Sequence, residues 1–307
     1  MVTTFGWLGR GLVTLLVLML GILYMRGLSR IPLDERPSSL HKVSYFLGLA
    51  LLWVAIASRL ETIVAQLFTA RALQQLLITE PVPFLLLASN PYPVLKAGFG
   101  RKDFGRNPSN PTSIPFNISP HRLQTIIQIT RPGFVWAMFV MLFWFWHDHT
   151  MIAATSQNGW VHVIEVVSLF TFASLYWWHI AASAPFLHKP LSPNVRILYA
   201  FLGILPIKLT GIIMLFSQET VVGGYRSDYA GEVMLQWGDG LQFADSSAGA
   251  ILIWVIGGIM YALAVTALGS RALSVEEAKP ELPENPLLND SLWVPPGIGA
   301  GAKNRPN

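Results

Sequence analysis

Phe143-Trp-Phe-Trp-His-Asp-His-Thr150, followed after a short gap by Trp160-Val-His-Val-Ile-Glu165, is where the chain changes character. Apolar sequence of helical length runs into this stretch from both sides. It leaves His147, Asp148, His149, His162 and Glu165 clustered at one end of a hydrophobic helical pair. Three histidines and two carboxylates at the rim of an apolar hairpin mark the place to look for chemistry.

Outward from this hairpin, the 307 residues are 52% hydrophobic and only 12% charged. A soluble domain carries roughly a quarter charged residues, so half that share marks a polytopic membrane protein. A spanning helix needs about 20 mostly apolar residues. Seven segments meet or approach this: about Phe5–Tyr24, Val43–Ser58, Thr62–Ala88, Gly133–Trp146, Trp160–Phe186, Ile197–Phe216 and Ala248–Leu268. Pro132 suits a bend or a first turn leading into the fourth. The first is followed by Met25-Arg26-Gly27 with no small-residue cleavage motif, so it reads as a retained span. No 20–50-residue repeat divides the chain. The expected fold is an all-α bundle of seven transmembrane helices over 1–272, with a Pro-rich, disordered cytoplasmic tail over 273–307.

Basic residues alternate between the connections. Arg26, Arg30, Arg36 and Lys42 lie in the first loop; Lys96, Arg101, Lys102, Arg106 and Arg122 in the third; Lys189 and Arg196 in the fifth. The opposite side holds only Arg10, Arg59 and Arg226. The positive-inside rule then places the N-terminus outside, the C-terminus in the cytoplasm and the His/Asp cluster outward. The third loop, Asn90 to Pro120, reads as irregular, and its Asn117-Ile-Ser119 as an accidental glycosylation match. The sixth, Ser217 to Ser247, reads as a long acidic external loop (Glu219, Asp228, Glu232, Asp239, Asp245).

Polar groups within hydrocarbon are functional candidates by default. Arg71, Gln74 and Gln75 fall in the third span, about 15 Å down from its start at ~1.5 Å per residue. Arg71 and Gln75 share a face, and the arginine needs a counter-ion, with Glu61, Asp148, Glu165 and Asp245 near the outer helix ends. Lys208 is expected to snorkel to an interface. His162 and Glu165 share a face, as do His147 and Met151 if helix continues there. The chain has no cysteine, which excludes disulfides, thiolate catalysis and Cys-based metal sites. A transition metal would rest on His, Met or carboxylate, and imidazole with thioether suits copper. Nothing resembles a phosphate loop, a nucleophile elbow or a nucleic-acid patch, so neither an enzyme nor a nucleic-acid partner is expected.

The ordered set Phe46-Leu-Gly-Leu-Ala-Leu-Leu-Trp53 with Ala57-Ser-Arg-Leu-Glu61, Pro83-Phe-Leu-Leu-Leu-Ala-Ser-Asn-Pro91, Phe145-Trp-His147, His162-Val-Ile-Glu165 with Tyr176-Trp-Trp178, Arg196-Ile-Leu-Tyr199 with Pro206, and Asp245 with Gly249 and Trp254 is similar to a known pattern. It resembles the seven-span CtaG-type family of cytochrome c oxidase assembly factors, over about Phe46 to Arg271. The resemblance implies a multi-pass protein of the bacterial plasma membrane whose partners are haem–copper oxidase subunits and membrane lipid. It also implies copper at the outer face, with His147, His162, Glu165 and Asp245 as metal residues; the residues themselves add Arg71, Gln74, Gln75, Asp148 and His149 as a polar network. The departures point elsewhere. The family's His-Met-x-Gln-His reads Arg71-Ala-Leu-Gln-Gln75, its His-x-x-Glu-His reads His162-Val-Ile-Glu-Val166, and its Asp-Gln-Gln reads Asp245-Ser-Ser247. Three histidines are gone, and Arg71 brings a fixed charge to a ligand position. The alternative is therefore a non-metal structural or scaffold subunit, in which Arg71 pairs with Glu165 or Asp245.

Overall fold

The structure is a computed structural model that describes residues 7–100, 120–216, 234–237 and 241–277. The chain divides into two compact units, Met1–Leu268 and Gly269–Asn307, and the helical bundle belongs to the first. Of the second, only the end of a helix reaching Glu277 is described. The expected tail beyond it, the Asn117 sequon and the acidic residues Glu219, Asp228, Glu232 and Asp239 lie outside the described residues.

The first helix is α1 (Trp7–Arg30), followed by α2 (Ser39–Ala57), α3 (Leu60–Ile63), α4 (Phe68–Thr79), α5 (Pro81–Ala88) and α6 (Tyr92–Gly98). After these come α7 (Pro120–Ile129), α8 (Pro132–Trp146), α9 (His149–Gln157), α10 (Gly159–Ala181) and α11 (Pro193–Phe216). A short antiparallel hairpin, β1 (Met234–Trp237) and β2 (Leu241–Ala244), pairs Met234 with Ala244 and Trp237 with Leu241. It stands where the sequence suggests only loop. The chain then enters α12 (Asp245–Ile251), a π-turn over Leu252–Ile256, and α13 (Gly257–Glu277).

Five helical stretches are long and apolar enough to cross a membrane, or up to seven if each of two bent pairs is one span. One bent pair is His121–Ile129 with Pro132–Trp146, at 58°. Pro132 opens α8 in its first turn, where its missing N–H costs nothing. The other is Phe68–Ala88 with Tyr92–Gly98, at 69°, and here the structure corrects the expected uninterrupted span Thr62–Ala88. α3 continues the second candidate span, Ser39–Ile63. The backbone is extended at Leu67, and α4 begins only at Phe68. Glu80 then leaves helical geometry (φ −123°, ψ −81°) ahead of Pro81 and Pro83. These prolines have no N–H for the carbonyls of Leu77 and Thr79. The Trp177 indole replaces one of the lost bonds by donating to the Thr79 carbonyl at 2.8 Å.

α10 is the central post. Tyr176 donates to the Tyr199 and Ala200 carbonyls at 3.1 and 3.0 Å and stacks on Phe139. Trp177 lies against Tyr261, ring centroids 5.0 Å apart. α10 ends at Ala181 rather than Phe186, because Ala182 takes a left-handed conformation (φ 48°). α1 stands to one side with its own small core, built on the stacked Tyr24–Tyr45 pair at 4.0 Å. It is pressed so closely on α6 that a Cβ on Gly27 or Gly98 would overlap the facing backbone.

Candidate functional site

Arg71 lies in the first turn of α4, three residues past Phe68. The expected depth needs helix from Thr62, and the break before Phe68 brings Arg71 close to the N-terminal end of its helix. Its side chain is 2% exposed. One guanidinium nitrogen donates to Glu165 of α10 and to the Trp146 carbonyl ending α8, the latter at 3.0 Å. The other donates to Thr155 of α9 and reaches the Ile152 carbonyl at 3.4 Å. One arginine thus ties four helices together at one end.

Glu165 is fully buried. Its Oε1 accepts from Arg71 and from Gln75 Nε2, the latter at 2.5 Å. Its Oε2 faces His162 Nδ1 at 2.8 Å. The far side of the imidazole, Nε2, faces Glu61 Oε2 of α3 at 3.4 Å. Glu61 in turn accepts from Gln74, which also donates to the Ala55 carbonyl of α2 at 2.8 Å. Arg71, Glu165, His162, Glu61 and Gln74 therefore form one buried line across α2, α3, α4 and α10. An imidazolium with both N–H groups would donate to both carboxylates and would balance the charges two against two. Isolated charges at this burial cost several kcal/mol each, so mutual pairing is the condition for this set to sit inside the bundle.

The remaining residues expected at the site are placed differently. His147 caps the end of α8 and stacks on Phe143 at 4.1 Å. Its Nδ1–H donates to the Phe143 carbonyl at 2.6 Å, while Nε2 has no hydrogen-bond partner among the described residues. Met151 does not share its helix, since α8 stops at Trp146 and α9 starts at His149. Asp148 is the N-cap of α9 and accepts from the Thr150 amide at 2.9 Å and from its hydroxyl. These two bonds hold its carboxyl below the usual range. His149 is exposed, 3.6 Å from Asp148.

Asp245 stands apart from the histidines. Its two oxygens accept from the Phe68 and Thr69 amides at 2.6 and 2.9 Å, and its carbonyl accepts the Thr69 hydroxyl at 3.0 Å. α4 has no side-chain cap of its own. A carboxylate from α12 therefore satisfies its first amides and complements its dipole, fixing the turn that carries Arg71.

Lys208 is corrected from its expected interfacial position. It is buried; its ammonium donates to Glu80 and to the Ile253 carbonyl (3.0 Å) and lies 5.3 Å from the Tyr261 ring centre. Glu80 drew no attention in the sequence, although an acid beside two prolines in an apolar run is a signal. Thr155 carries no such signal, and Glu61 stands in the sequence as a possible counter-ion and as the end of Ala57-Ser-Arg-Leu-Glu61.

These donors, as arranged, do not fit a copper ion. Both nitrogens of His162 face carboxylates, the oxygens of Asp245 are taken by amides, and Glu165 is shared by Arg71, Gln75 and His162. Among the described residues no group of three or more His, Asp or Glu side chains is placed to hold a metal, and the guanidinium keeps a positive charge at the centre.

Together the apolar helices and the internal ion-paired line define an all-helical membrane protein built around a buried polar centre. The chain belongs to the cytochrome c oxidase caa3 assembly factor family (Caa3_CtaG), whose family model matches residues 22–274. That match runs from late α1 into α13 and takes in every residue of the polar centre. No curated protein and no solved structure matches the chain.

Proposed function

We propose that this protein is a seven-span, non-enzymatic factor of the bacterial plasma membrane that supports assembly of a haem–copper oxidase. In this reading its outer polar centre works as an ion-pair lock, not as a copper site. Counting each bent pair as one span gives the seven, and the alternation of Lys and Arg puts the N-terminus and the polar centre on the outer side. The observation that carries the reading is the buried Arg71–Glu165 pair. With its bonds to α8 and α9, it holds the outer ends of four helices in one arrangement that oxidase subunits and lipid meet.

Copper handling at the outer face is the second reading, and one observation favours it. His147 gives its Nδ1–H to a carbonyl, and its Nε2 has no partner among the described residues, the orientation usual for a metal-binding imidazole.

Complementation tests the first reading. In a host lacking the protein, wild type should restore oxidase level and activity. Arg71→Met should restore neither, and Arg71→Met with Glu165→Leu should restore both. Equal assembly without the protein would end the assembly reading. Restoration that requires His147 and fails with the charge-free double variant would favour copper handling.

A further inference from the structure

α4 and α12 are joined at their outer ends and interrupted at their inner ends. At the outer end, Asp245 caps α4 through Phe68 and Thr69, and the Phe68 ring lies where a Cβ on Gly249 would be. At the inner end, α4 stops at Glu80, and Pro81 and Pro83 remove two rungs of the ladder there. α12 passes into the π-turn Leu252–Ile256, where the Gly257 amide bonds back to Leu252.

Both interruptions meet Lys208 of α11, which donates to Glu80 on one side and to the Ile253 carbonyl within the π-turn on the other. A Cβ at Gly257 would overlap the Lys208 ammonium, so the glycine makes room for it. Glu80 lies 12 residues below Phe68 and Lys208 15 residues beyond Pro193, or about 18 and 22 Å along their helices. The two therefore meet deep in the bundle. A buried ion pair is often replaceable by apolar side chains without loss of stability, so stability alone does not account for this one. Discontinuous helices and π-turns facing one another at mid-membrane are the features of elements that move.

We infer that α4 and α12 form one rocking unit, hinged at Glu80–Pro83 and at the π-turn, and latched to α11 by Lys208. The unit carries Arg71, Gln74 and Gln75, so its movement would make or break the outer lock as a whole. The inference rests on the two hinges and the latch and does not depend on the assembly role.

The absence of native cysteine makes paired spin labels straightforward in the full-length protein in lipid nanodiscs. One pair, Leu73→Cys with Ile164→Cys, reports the unit against α10. A second, Leu73→Cys with Ala248→Cys, reports distance within the unit. In the otherwise native protein both pairs should give one distance each. Lys208→Met, and separately Glu80→Gln, should add a second distance to the first pair and leave the second pair unchanged. A single unchanged distance in the first pair for both folded variants would overturn the inference. So would a change in both pairs, which would mean local unfolding rather than rocking. Should Lys208→Met not fold, Glu80→Gln alone decides, since it keeps the side-chain shape and removes the charge.

Discussion

Arg71→Met leaves Glu165 buried with its principal counter-charge gone, and leaves the Trp146 carbonyl and the Thr155 hydroxyl without the guanidinium. Breaking one side of a buried pair costs about 3–5 kcal/mol. In a bundle of this size that corresponds to a melting-temperature drop of roughly 10 °C. Glu165→Leu alone should cost a similar amount, because it strands the guanidinium and one side of His162. The double variant removes both charges of this pair, keeps His162 facing Glu61, and leaves mainly hydrogen-bonding groups to satisfy, at about 1–3 kcal/mol. The cycle should therefore show a favourable coupling of at least about 2 kcal/mol, well beyond the additivity of independent sites. Thermal stability can be followed by size-exclusion recovery after heating in detergent, since thiol dyes have no cysteine to report on. If Arg71→Met is as stable as wild type, or the two single losses simply add, the pair is not the lock described above.

Three further outcomes follow from individual contacts. Trp177→Phe strands the Thr79 carbonyl freed by Pro83 and leaves a void beside Tyr261, so it should lose at least about 1–3 kcal/mol and speed amide exchange around Glu80. Gly203→Ala places a methyl where the Tyr176 hydroxyl lies; it should destabilise by about 1–3 kcal/mol, and Tyr176→Phe in the same chain should recover part of that loss. Asp148 has its carboxyl held below the usual range by the Thr150 hydroxyl and amide. Its capping contribution is complete above the unfolded-state value and is lost as pH falls through the lower folded one. α9 should therefore fray in acid, and Asp148→Ala should remove that acid dependence, as read by amide exchange across α9.

The apolar runs made the helical bundle legible in the sequence, because hydrocarbon thickness imposes length and composition directly. The irregularities were less legible. Pro132 announced its bend, but Glu80-Pro81-Val82-Pro83 was absorbed into an apolar run, so the interruption of the third span went unseen. The π-turn at Leu252–Ile256 has no sequence signature of that kind, and it forms where Lys208 arrives from another helix. At the polar centre, the i,i+4 relation puts Arg71 and Gln75 on one face, and both reach Glu165. Asp245, like the histidines, stands at the end of an apolar helix in the sequence. Spacing along the chain does not reveal that its carboxylate caps α4, since that contact crosses 176 and 177 positions.

Metal content of the purified, detergent-solubilised protein after copper loading, beside a His147→Ala, His162→Ala double variant, tests the central claim most directly. With Arg71 holding the cation position and His162 engaged on both nitrogens, wild type and variant should carry the same negligible copper. Stoichiometric copper in wild type, lost in the variant, would contradict the lock and establish the outer centre as a copper site.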